Sequence, residues 1–491
     1  MQASSRLARG MRLAGGGLLT RLEQHAAAGR TAIVDADGTT TSYADLLGGA
    51  HAVGQRIRSE RAFARGERVA FLAPPGVDFV RTLIGVWQAG GVAVPLCVTH
   101  PEAELRYALT EADVCMVAAA SDTLAARAQP IAESEGRAFF RVEEARPSGD
   151  GGGGGGGDGG GDAAAAAGDE EDPALIIFTS GTTGKPKGVV LSHANLRAHT
   201  TSLVAAWEWQ PTDRILHVLP LHHLHGLGNK LLCALWAGAS VAFSPPAPAE
   251  VWARLSRAEQ DGLTLFMAVP TNYALLLREA QRRGAEDELI RAGAAGARGL
   301  RLMVSGSMAL PTPVLERWRQ LTGHTLLERY GMSELGMVLS NPLHGERVLG
   351  AVGAPLPGVE VEIRDPSSGA AVAAGDELGG ELRVRGAGVF KEYFRRPDAT
   401  AAAFDGGWFL TGDHASCGTD GVYRILGRAS VDVIKSAGYK ISALEIEREL
   451  LAHAAVEEVP WLQPGCNLAA TLCEGGCNPM RGRRQPYVYP M

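Results

Sequence analysis

The sequence predicts an α/β fold in which a large domain of parallel or mixed sheets flanked by helices is followed by an antiparallel β region. Two observations indicate this fold. Short apolar runs alternate with stretches of helical periodicity over most of the 491 residues, which is typical of parallel sheets covered by helices. From about Pro355 the pattern changes to short strands separated by Gly and Asp turns, which indicates antiparallel pairing.

The clearest parallel unit begins at Arg68. The run RVAFL predicts a strand, VDFVRTLIGVWQA predicts an amphipathic helix that ends at Gly90, and VAVPL predicts a second strand. A strand, a helix and a strand within about 30 residues imply parallel pairing. Further strands are predicted at ALIIFTS, RILHVLP, TLFMAVP, LRLMVSG and TLLERYG, and antiparallel strands at VEVEIRD, ELGGELRVRG, GWFLTGD and GVYRILGR.

Two segments are excluded from the predicted core. Residues 149–168 are almost entirely Gly, Ala and Asp, and such a low-complexity insertion has no side chains from which to build a core. Residues 1–22 contain Arg6, Arg9, Arg12 and Arg21 and no acid, which is the bias of an organellar transit leader. We expect a mitochondrial location on this basis, and the alternative is a short basic leader on a cytoplasmic protein.

The composition excludes some classes of function. The chain has 47 Lys and Arg against 54 Asp and Glu, for a net charge of -7, so no basic surface favours nucleic acid. No run of 18 apolar residues is present, which excludes a membrane-spanning helix. The seven cysteines are scattered and odd in number, and they are interpreted as reduced thiols of an intracellular protein. The oligomeric state is not predicted.

The segment from Thr179 to Gly188, TSGTTGKPKG, is the strongest local signal. Its glycines allow the backbone to approach a ligand closely, and free N–H groups in such a turn can bind an anion. Its hydroxyls and lysines add donors suited to phosphate oxygens. Composition alone leaves a solvated loop as the alternative, since the spacing is neither a Walker A loop nor G-x-G-x-x-G.

This loop resembles the signature of the adenylate-forming superfamily, which includes the acyl-CoA synthetases. Other segments typical of the superfamily follow in the same order, namely LPLHHLHG, FMAVPTNY, VSGSMALP, ERYGMSE, WFLTGD and GRASVDVIKSAGYKISALEIE. The resemblance covers about residues 30–459, and within the superfamily the chain looks most like malonyl-CoA synthetases. It implies activation of a carboxylate by ATP and Mg²⁺ to an acyl-adenylate, followed by transfer of the acyl group to coenzyme A.

The resemblance also implies a set of nucleotide-binding residues. Tyr330 and Gly331 would meet the adenine, Asp413 and Arg428 the ribose, and Ser333 the phosphates. Glu334 and Thr182 would bind Mg²⁺, because carboxylate and hydroxyl oxygens suit a hard cation. The remaining predicted ATP contacts are Thr179, Ser180, Gly181, Thr182, Thr183, Gly184, Lys185, Ser305, Gly306 and Ser307, with Thr182, Lys187, His223 and Glu334 predicted as catalytic.

Substrate choice is predicted to depend on Arg329. A guanidinium facing the acyl pocket would pair with a second carboxylate and favour malonate or methylmalonate, whereas the alternative is a surface salt bridge. His223 is expected to orient the reacting carboxylate, with Ser305 lining the pocket, and His225 to pack behind it. Met308 is expected to form an apolar wall with Met267, unless both belong to the core. A metal site at the three histidines of LHHLHG is judged improbable.

The end of the chain departs from the superfamily pattern. A hinge is expected near residues 430–432, and Lys435, Gly438 and Tyr439 are expected to approach coenzyme A. The predicted organisation is a leader at 1–22, an adenylate-forming domain at 23–428, the start of a small truncated C-terminal domain at 429–459 and an atypical tail at 460–491. The expected lysine-bearing segment is missing, so a catalytically weak nucleotide- and acid-binding protein is one alternative, and a ligase for another short or medium acid is the other.

Overall fold

The structure is a computed structural model that describes residues 17–145, 170–179 and 185–428, and the backbone of two further strands at 433–436 and 439–442. The predicted insertion at 149–168, the tail at 460–491 and the loop at 180–184 lie outside these residues. The helices are α1 (Leu18–Ala27), α2 (Tyr43–Arg58), α3 (Val77–Ala89), α4 (Glu102–Glu111), α5 (Asp122–Ser134), α6 (His193–Ala206), α7 (Leu224–Gly226), α8 (Cys233–Ala237), α9 (Pro248–Ser256), α10 (Pro270–Arg283), α11 (Glu288–Gly299), α12 (Thr312–Thr322) and α13 (Pro397–Ala402).

Two short segments have other helical forms. Val142–Ala145 forms a 3-10 turn, and Leu227–Leu232 forms a π-helix between α7 and α8. The strands are β1 (Thr31–Val34), β2 (Thr40–Ser42), β3 (Arg68–Leu72), β4 (Val92–Pro95), β5 (Met116–Ala119), β6 (Ala138–Arg141), β7 (Pro173–Thr179), β8 (Lys187–Ser192), β9 (Arg214–His217), β10 (Ser240–Phe243), β11 (Leu265–Ala268), β12 (Leu302–Gly306), β13 (Leu327–Met332), β14 (Gly336–Ser340), β15 (Ala354–Pro355), β16 (Val359–Arg364), β17 (Gly380–Gly386), β18 (Glu392–Tyr393), β19 (Phe404–Asp405), β20 (Trp408–Cys417), β21 (Tyr423–Arg428), β22 (Val433–Ser436) and β23 (Tyr439–Ser442).

The strands form two large mixed sheets and one antiparallel sheet, as the sequence predicted. The nine-stranded sheet has the order β15-β14-β13-β12-β11-β9-β10-β1-β2, and the seven-stranded sheet has the order β18-β8-β7-β4-β3-β5-β6. Strands β16, β17, β20, β19 and β21 form the antiparallel sheet, and β22 pairs with β23. The predicted strand–helix–strand unit is β3-α3-β4, and its helix ends where Gly90 adopts a left-handed conformation.

The first helix lies partly within the predicted leader. Helix α1 begins at Leu18, and Leu22 is fully buried in the main core. The guanidinium of Arg21 lies 4.4 Å from the ring centroid of Trp236. The predicted boundary between residues 22 and 23 therefore falls inside α1, a helix that packs on the body of the domain.

Among the described residues, no helix combines the length and the apolar character that crossing a membrane requires.

Helices α9 and α11 approach so closely that one position between them has no room for a side chain. A Cβ atom added at Gly296 would lie 1.9 Å from the backbone oxygen of Leu255. The helices can therefore keep this separation only while residue 296 is glycine.

We expect Gly296→Ala to lower the free energy of unfolding by about 1–3 kcal/mol, because the helices must separate to accommodate the methyl group. Chemical denaturation of the purified variant measures this change. Gly299→Ala is the matched control, since no atom lies within 4 Å of its added Cβ. Equal stability of the two variants would contradict the close packing of α9 on α11.

Candidate functional site

The candidate site lies where parallel strands of the nine-stranded sheet end. In the register of the sheet, Ala268 pairs with Ser305, Ser305 with Glu328, and Gly306 with Arg329. The carboxyl ends of neighbouring parallel strands meet at one edge, which is where α/β folds bind ligands. Sequence-predicted residues from the VSGSM and ERYG segments are thus brought together by strand pairing.

Arg329 points into the protein, as predicted, and the surface salt bridge considered as its alternative is wrong. Arg329 is 2% exposed, and its Nη2 donates to Ser307 Oγ at 3.4 Å. The Nε and Nη1 atoms are buried and have no hydrogen-bond partner among the described residues. Burial lowers the pKa of Arg329 to about 9, so the guanidinium keeps its positive charge at neutral pH.

The end of β12 and the residue after it lie against this guanidinium. A Cβ at Gly306 would lie 2.6 Å from Arg329 Cζ, so the glycine makes room for the charged group. Ser307 has φ 73°, a left-handed conformation that is unusual outside glycine and tends to occur at functional sites. Ser305 is fully buried, and its Oγ has no partner among the described residues.

The histidine-rich loop lies beside the same serine. His225 Nδ1 lies 3.1 Å from Ser307 Oγ, and burial followed by the charge of Arg329 keeps the pKa of His225 well below its usual value. His225 therefore contacts the pocket rather than only packing behind it. The rings of His222 and His223 lie 4.2 Å apart between centroids. In the described part of the chain no cluster of three or more His, Cys, Asp or Glu side chains has a geometry that could hold a metal ion.

The predicted adenine and ribose residues meet across two sheets. The Tyr330 hydroxyl donates to Asp413 Oδ2 at 2.5 Å, and Arg428 Nε donates to Asp413 Oδ1 at 3.1 Å. Asp413 and Arg428 are partners in the pairing of β20 with β21. Burial and the neighbouring Asp413 carboxylate raise the pKa of Tyr330 well above its usual value, so the phenol stays protonated as a donor.

The turn after Tyr330 is also restricted. A Cβ at Gly331 would lie 2.0 Å from the backbone oxygen of Gly336, so only glycine lets β13 and β14 close here. Ser333 and Glu334 follow in that turn. Tyr393 OH donates to Glu334 Oε1 at 2.9 Å, and Lys187 Nζ lies 4.8 Å from the centroid of the Tyr393 ring. Burial raises the pKa of Glu334, because the ionised carboxylate loses its hydration. A cation bound nearby would stabilise the ionised form.

Only the ends of the predicted phosphate loop are described. Thr179 pairs with Lys187 at the open end of the β7–β8 ladder, and Lys185 Nζ lies 5.6 Å from the centroid of the Tyr107 ring. The positions Ser180, Gly181, Thr182, Thr183 and Gly184 lie outside the described residues. Lys187 and Glu334 both contact Tyr393, so the end of the loop lies near the predicted Mg²⁺ ligand.

The predicted acyl-pocket methionines and the predicted coenzyme A residues are not drawn together with Arg329 by the described contacts. Met267 is fully buried in the core, which supports the alternative interpretation of this residue. Met308 is 56% exposed and its Sδ accepts from Thr271 Oγ1 at 3.7 Å, so it is not part of the buried surroundings of Arg329. Lys435 lies on β22 and Tyr439 on β23, while Gly438 lies outside the described residues.

The sequence analysis missed a group of polar side chains around Cys97, next to the histidine loop. Cys97 Sγ lies 3.2 Å from Thr99 Oγ1, and His100 Nε2 lies 3.4 Å from Glu104 Oε2. Burial alone would raise the pKa of the Cys97 thiol, but hydrogen bonds from His100, His222 and Thr99 outweigh it and lower the pKa to about 4. The sequence holds a weak signal, since Cys97, Thr99 and His100 fall within four residues, but the contact with His222 depends on the fold.

The comparisons with known proteins agree with this arrangement. The family described as AMP-binding enzyme matches residues 21–394. The protein named malonate–CoA ligase ACSF3, mitochondrial, of Xenopus laevis is 44% identical over 459 residues, which is 88% of this chain and 78% of that protein.

Solved structures are similar as well. The ATP-bound crystal structure of MatB from Rhodopseudomonas palustris matches with a TM-score of 0.76 and 32% identity, over 89% of this chain and 83% of that one. A malonyl-CoA ligase ternary product complex with methylmalonyl-CoA and AMP matches with a TM-score of 0.69 and 37% identity, over 88% of this chain and 85% of that one.

We expect Cys97 to be alkylated at a rate that barely changes between about pH 6 and pH 8.5, because its thiol is already ionised throughout this range. Cys115 is the internal control. Burial raises its pKa to about 11, so its rate should climb with pH across the same range. Timed iodoacetamide labelling followed by peptide mass spectrometry measures both rates. A Cys97 rate that rises tenfold with each pH unit would contradict the hydrogen bonding described above.

Proposed function

Because the chain belongs to the family of AMP-binding enzymes, we propose that it is an ATP-dependent acid–thiol ligase that makes malonyl-CoA or methylmalonyl-CoA. Its substrates are ATP, coenzyme A and a short diacid. In the first half-reaction a carboxylate oxygen attacks the α-phosphorus of ATP and pyrophosphate leaves. In the second, the thiolate of coenzyme A attacks the acyl carbon and AMP leaves.

The observation that carries the choice of acid is the buried guanidinium of Arg329. A buried cation without a carboxylate partner is costly, and evolution can retain one where a ligand supplies the opposite charge. A diacid provides one carboxylate for the reaction and a second for Arg329. A monoacid of similar length leaves the guanidinium without an anion. The Xenopus laevis relative is named malonate–CoA ligase, which supports the same choice.

The proposed nucleotide site uses preorganised groups. Asp413 is 6% exposed and is held by Tyr330 and Arg428, so its carboxylate is oriented before the ribose arrives. Its backbone N–H donates to Thr411 Oγ1 at 3.0 Å, which fixes the strand on which it lies. Groups that need no reorganisation during the reaction are the effective ones in catalysis. The ring of Tyr330 is proposed to pack on the adenine.

The residues present fit Mg²⁺. Glu334 provides a carboxylate oxygen, the ligand type that Mg²⁺ prefers. Burial disfavours the ionised form of this side chain, and a bound cation would offset that cost. Thr182 is proposed as a second protein ligand. When bound, Mg²⁺ supplies charge neutralisation to the phosphates. Lys187 is proposed to bind a phosphate oxygen, and His223 to orient the reacting carboxylate.

The proposed location is the mitochondrion. The Xenopus laevis relative is named as mitochondrial, and the basic residues at 6, 9, 12 and 21 agree with that name. Lys435, Gly438 and Tyr439 are proposed to approach coenzyme A during the second half-reaction.

The direct test is malonate-dependent release of pyrophosphate by the purified full chain. We expect pyrophosphate to form only when ATP, Mg²⁺ and malonate or methylmalonate are all present, and malonyl-CoA to accumulate when coenzyme A is added. Mass spectrometry identifies the thioester. Binding of ATP and malonate without any pyrophosphate would instead support a nucleotide- and acid-binding protein, and would contradict the ligase.

We expect Arg329→Leu to lower kcat/KM for malonate by between about 30-fold and a few thousand-fold. The reason is that a buried charge pair is worth about 2–5 kcal/mol when one partner is removed. Steady-state kinetics with malonate and with butyrate measure the change, and butyrate should gain relative to malonate. Arg291→Leu is the control, because its side chain is 69% exposed. Full malonate turnover by Arg329→Leu would contradict the proposed substrate.

A further inference from the structure

A second buried cation contacts β11, which is two strands away from the β13 strand that carries Arg329. Lys230 belongs to the π-helical segment Leu227–Leu232, is fully buried, and donates from Nζ to the backbone oxygen of Met267. π-Helical turns are rare and frequently occur at functional sites. All six residues of this segment are buried, so the lysine lies inside the protein.

Lys230 and Arg329 share their surroundings without an acid. Among the described residues, no Asp or Glu oxygen lies within ion-pair distance of either side chain. Burial lowers the pKa of Lys230 well below its usual value, and the charge of Arg329 lowers it further. The other titratable groups that interact with this pair are His199, His217 and His225, which are also buried and add no negative charge.

Unsatisfied polar atoms are concentrated at the same place. His225 Nε2, Ser305 Oγ, and Nε and Nη1 of Arg329 are all buried without a hydrogen-bond partner among the described residues. Native proteins leave few buried polar atoms unpaired. Several such atoms next to two cations indicate a place for a polar anion rather than a set of independent defects.

We propose that Lys230 is a specificity-determining residue that binds the remote carboxylate of the diacid together with Arg329. This inference rests on the proposed ligase function and deepens it. One carboxylate shared by two buried cations is bound more strongly than by Arg329 alone, whereas a methyl group in its place leaves both cations unpaired. Binding of the diacid also favours the protonated lysine, because the arriving anion offsets the repulsion from Arg329.

The alternative is that Lys230 only supports the backbone of Met267. The two roles differ in their effect on the empty protein. If Lys230 has only a structural role, its replacement should lower the melting temperature of the ligand-free protein. A ligand-binding lysine held without a counterion costs stability in the empty protein, so replacing it with an apolar residue of similar shape should raise the melting temperature while it weakens malonate binding.

The experiment uses Lys230→Met in the full chain. We expect KM for malonate to rise at least tenfold with a smaller change in kcat, the malonate-to-butyrate ratio of kcat/KM to fall at least tenfold, and the melting temperature without ligand to rise. The Kd for ATP should stay the same, which shows that the variant is folded. Lys391→Met is the matched control, since this lysine is exposed and its Nζ donates to the backbone oxygen of Glu171.

Calorimetry in two buffers of different ionisation enthalpy adds a second measurement. We expect the wild type to take up more protons on malonate binding than Lys230→Met does. Equal proton uptake, or an unchanged malonate-to-butyrate ratio, would overturn the role of Lys230 and leave the ligase function intact. Should Lys230→Met fail to bind ATP, Lys230→Gln with the same measurements replaces it. Absence of malonate turnover in the wild type would instead contradict the proposed function itself.

Discussion

An uncompensated positive charge at the end of β13 governs the chemistry of the site. Arg329 is enclosed by the sheet and donates only weakly, to Ser307 at 3.4 Å. Its neighbours accommodate it, because residue 306 has no side chain and residue 307 takes a left-handed conformation. The buried charge therefore lowers the stability of the ligand-free protein, and a bound anion would offset this cost. Binding sites commonly retain such destabilising groups because recognition of the ligand requires them.

Nucleotide and acid are proposed to bind at adjacent parts of one strand. Arg329 is proposed to bind the acid, and Tyr330 reaches Asp413 of the antiparallel sheet through its hydroxyl. The two residues are consecutive on β13, so the strand would fix the separation between the bound acid and the bound nucleotide.

Strand periodicity and short motifs were enough to predict much of this arrangement. The alternation of apolar runs predicted the parallel units, and the ERYGMSE segment predicted that Arg329 faces inward. Lys230 was not predicted, because a single lysine in LGNKLLCALW follows ordinary helical spacing and its burial depends on tertiary packing that surrounds the whole segment. The leader predicted at residues 1–22 ends inside α1, since a basic, acid-free stretch concealed the apolar contact that buries Leu22.

The contact between Tyr330 and Asp413 has a further consequence for how the protein could be divided. The chain passes from the nine-stranded sheet to the antiparallel sheet through Leu356, Pro357 and Gly358, and the last two of these are exposed. Fragments produced by a cut at this linker would carry Tyr330 on one piece and Asp413 with Arg428 on the other. The pairing of β18 with β8 would join the two pieces. A nucleotide that contacts both pieces would strengthen this reassembly further, which makes the linker a place to build a split reporter of ATP.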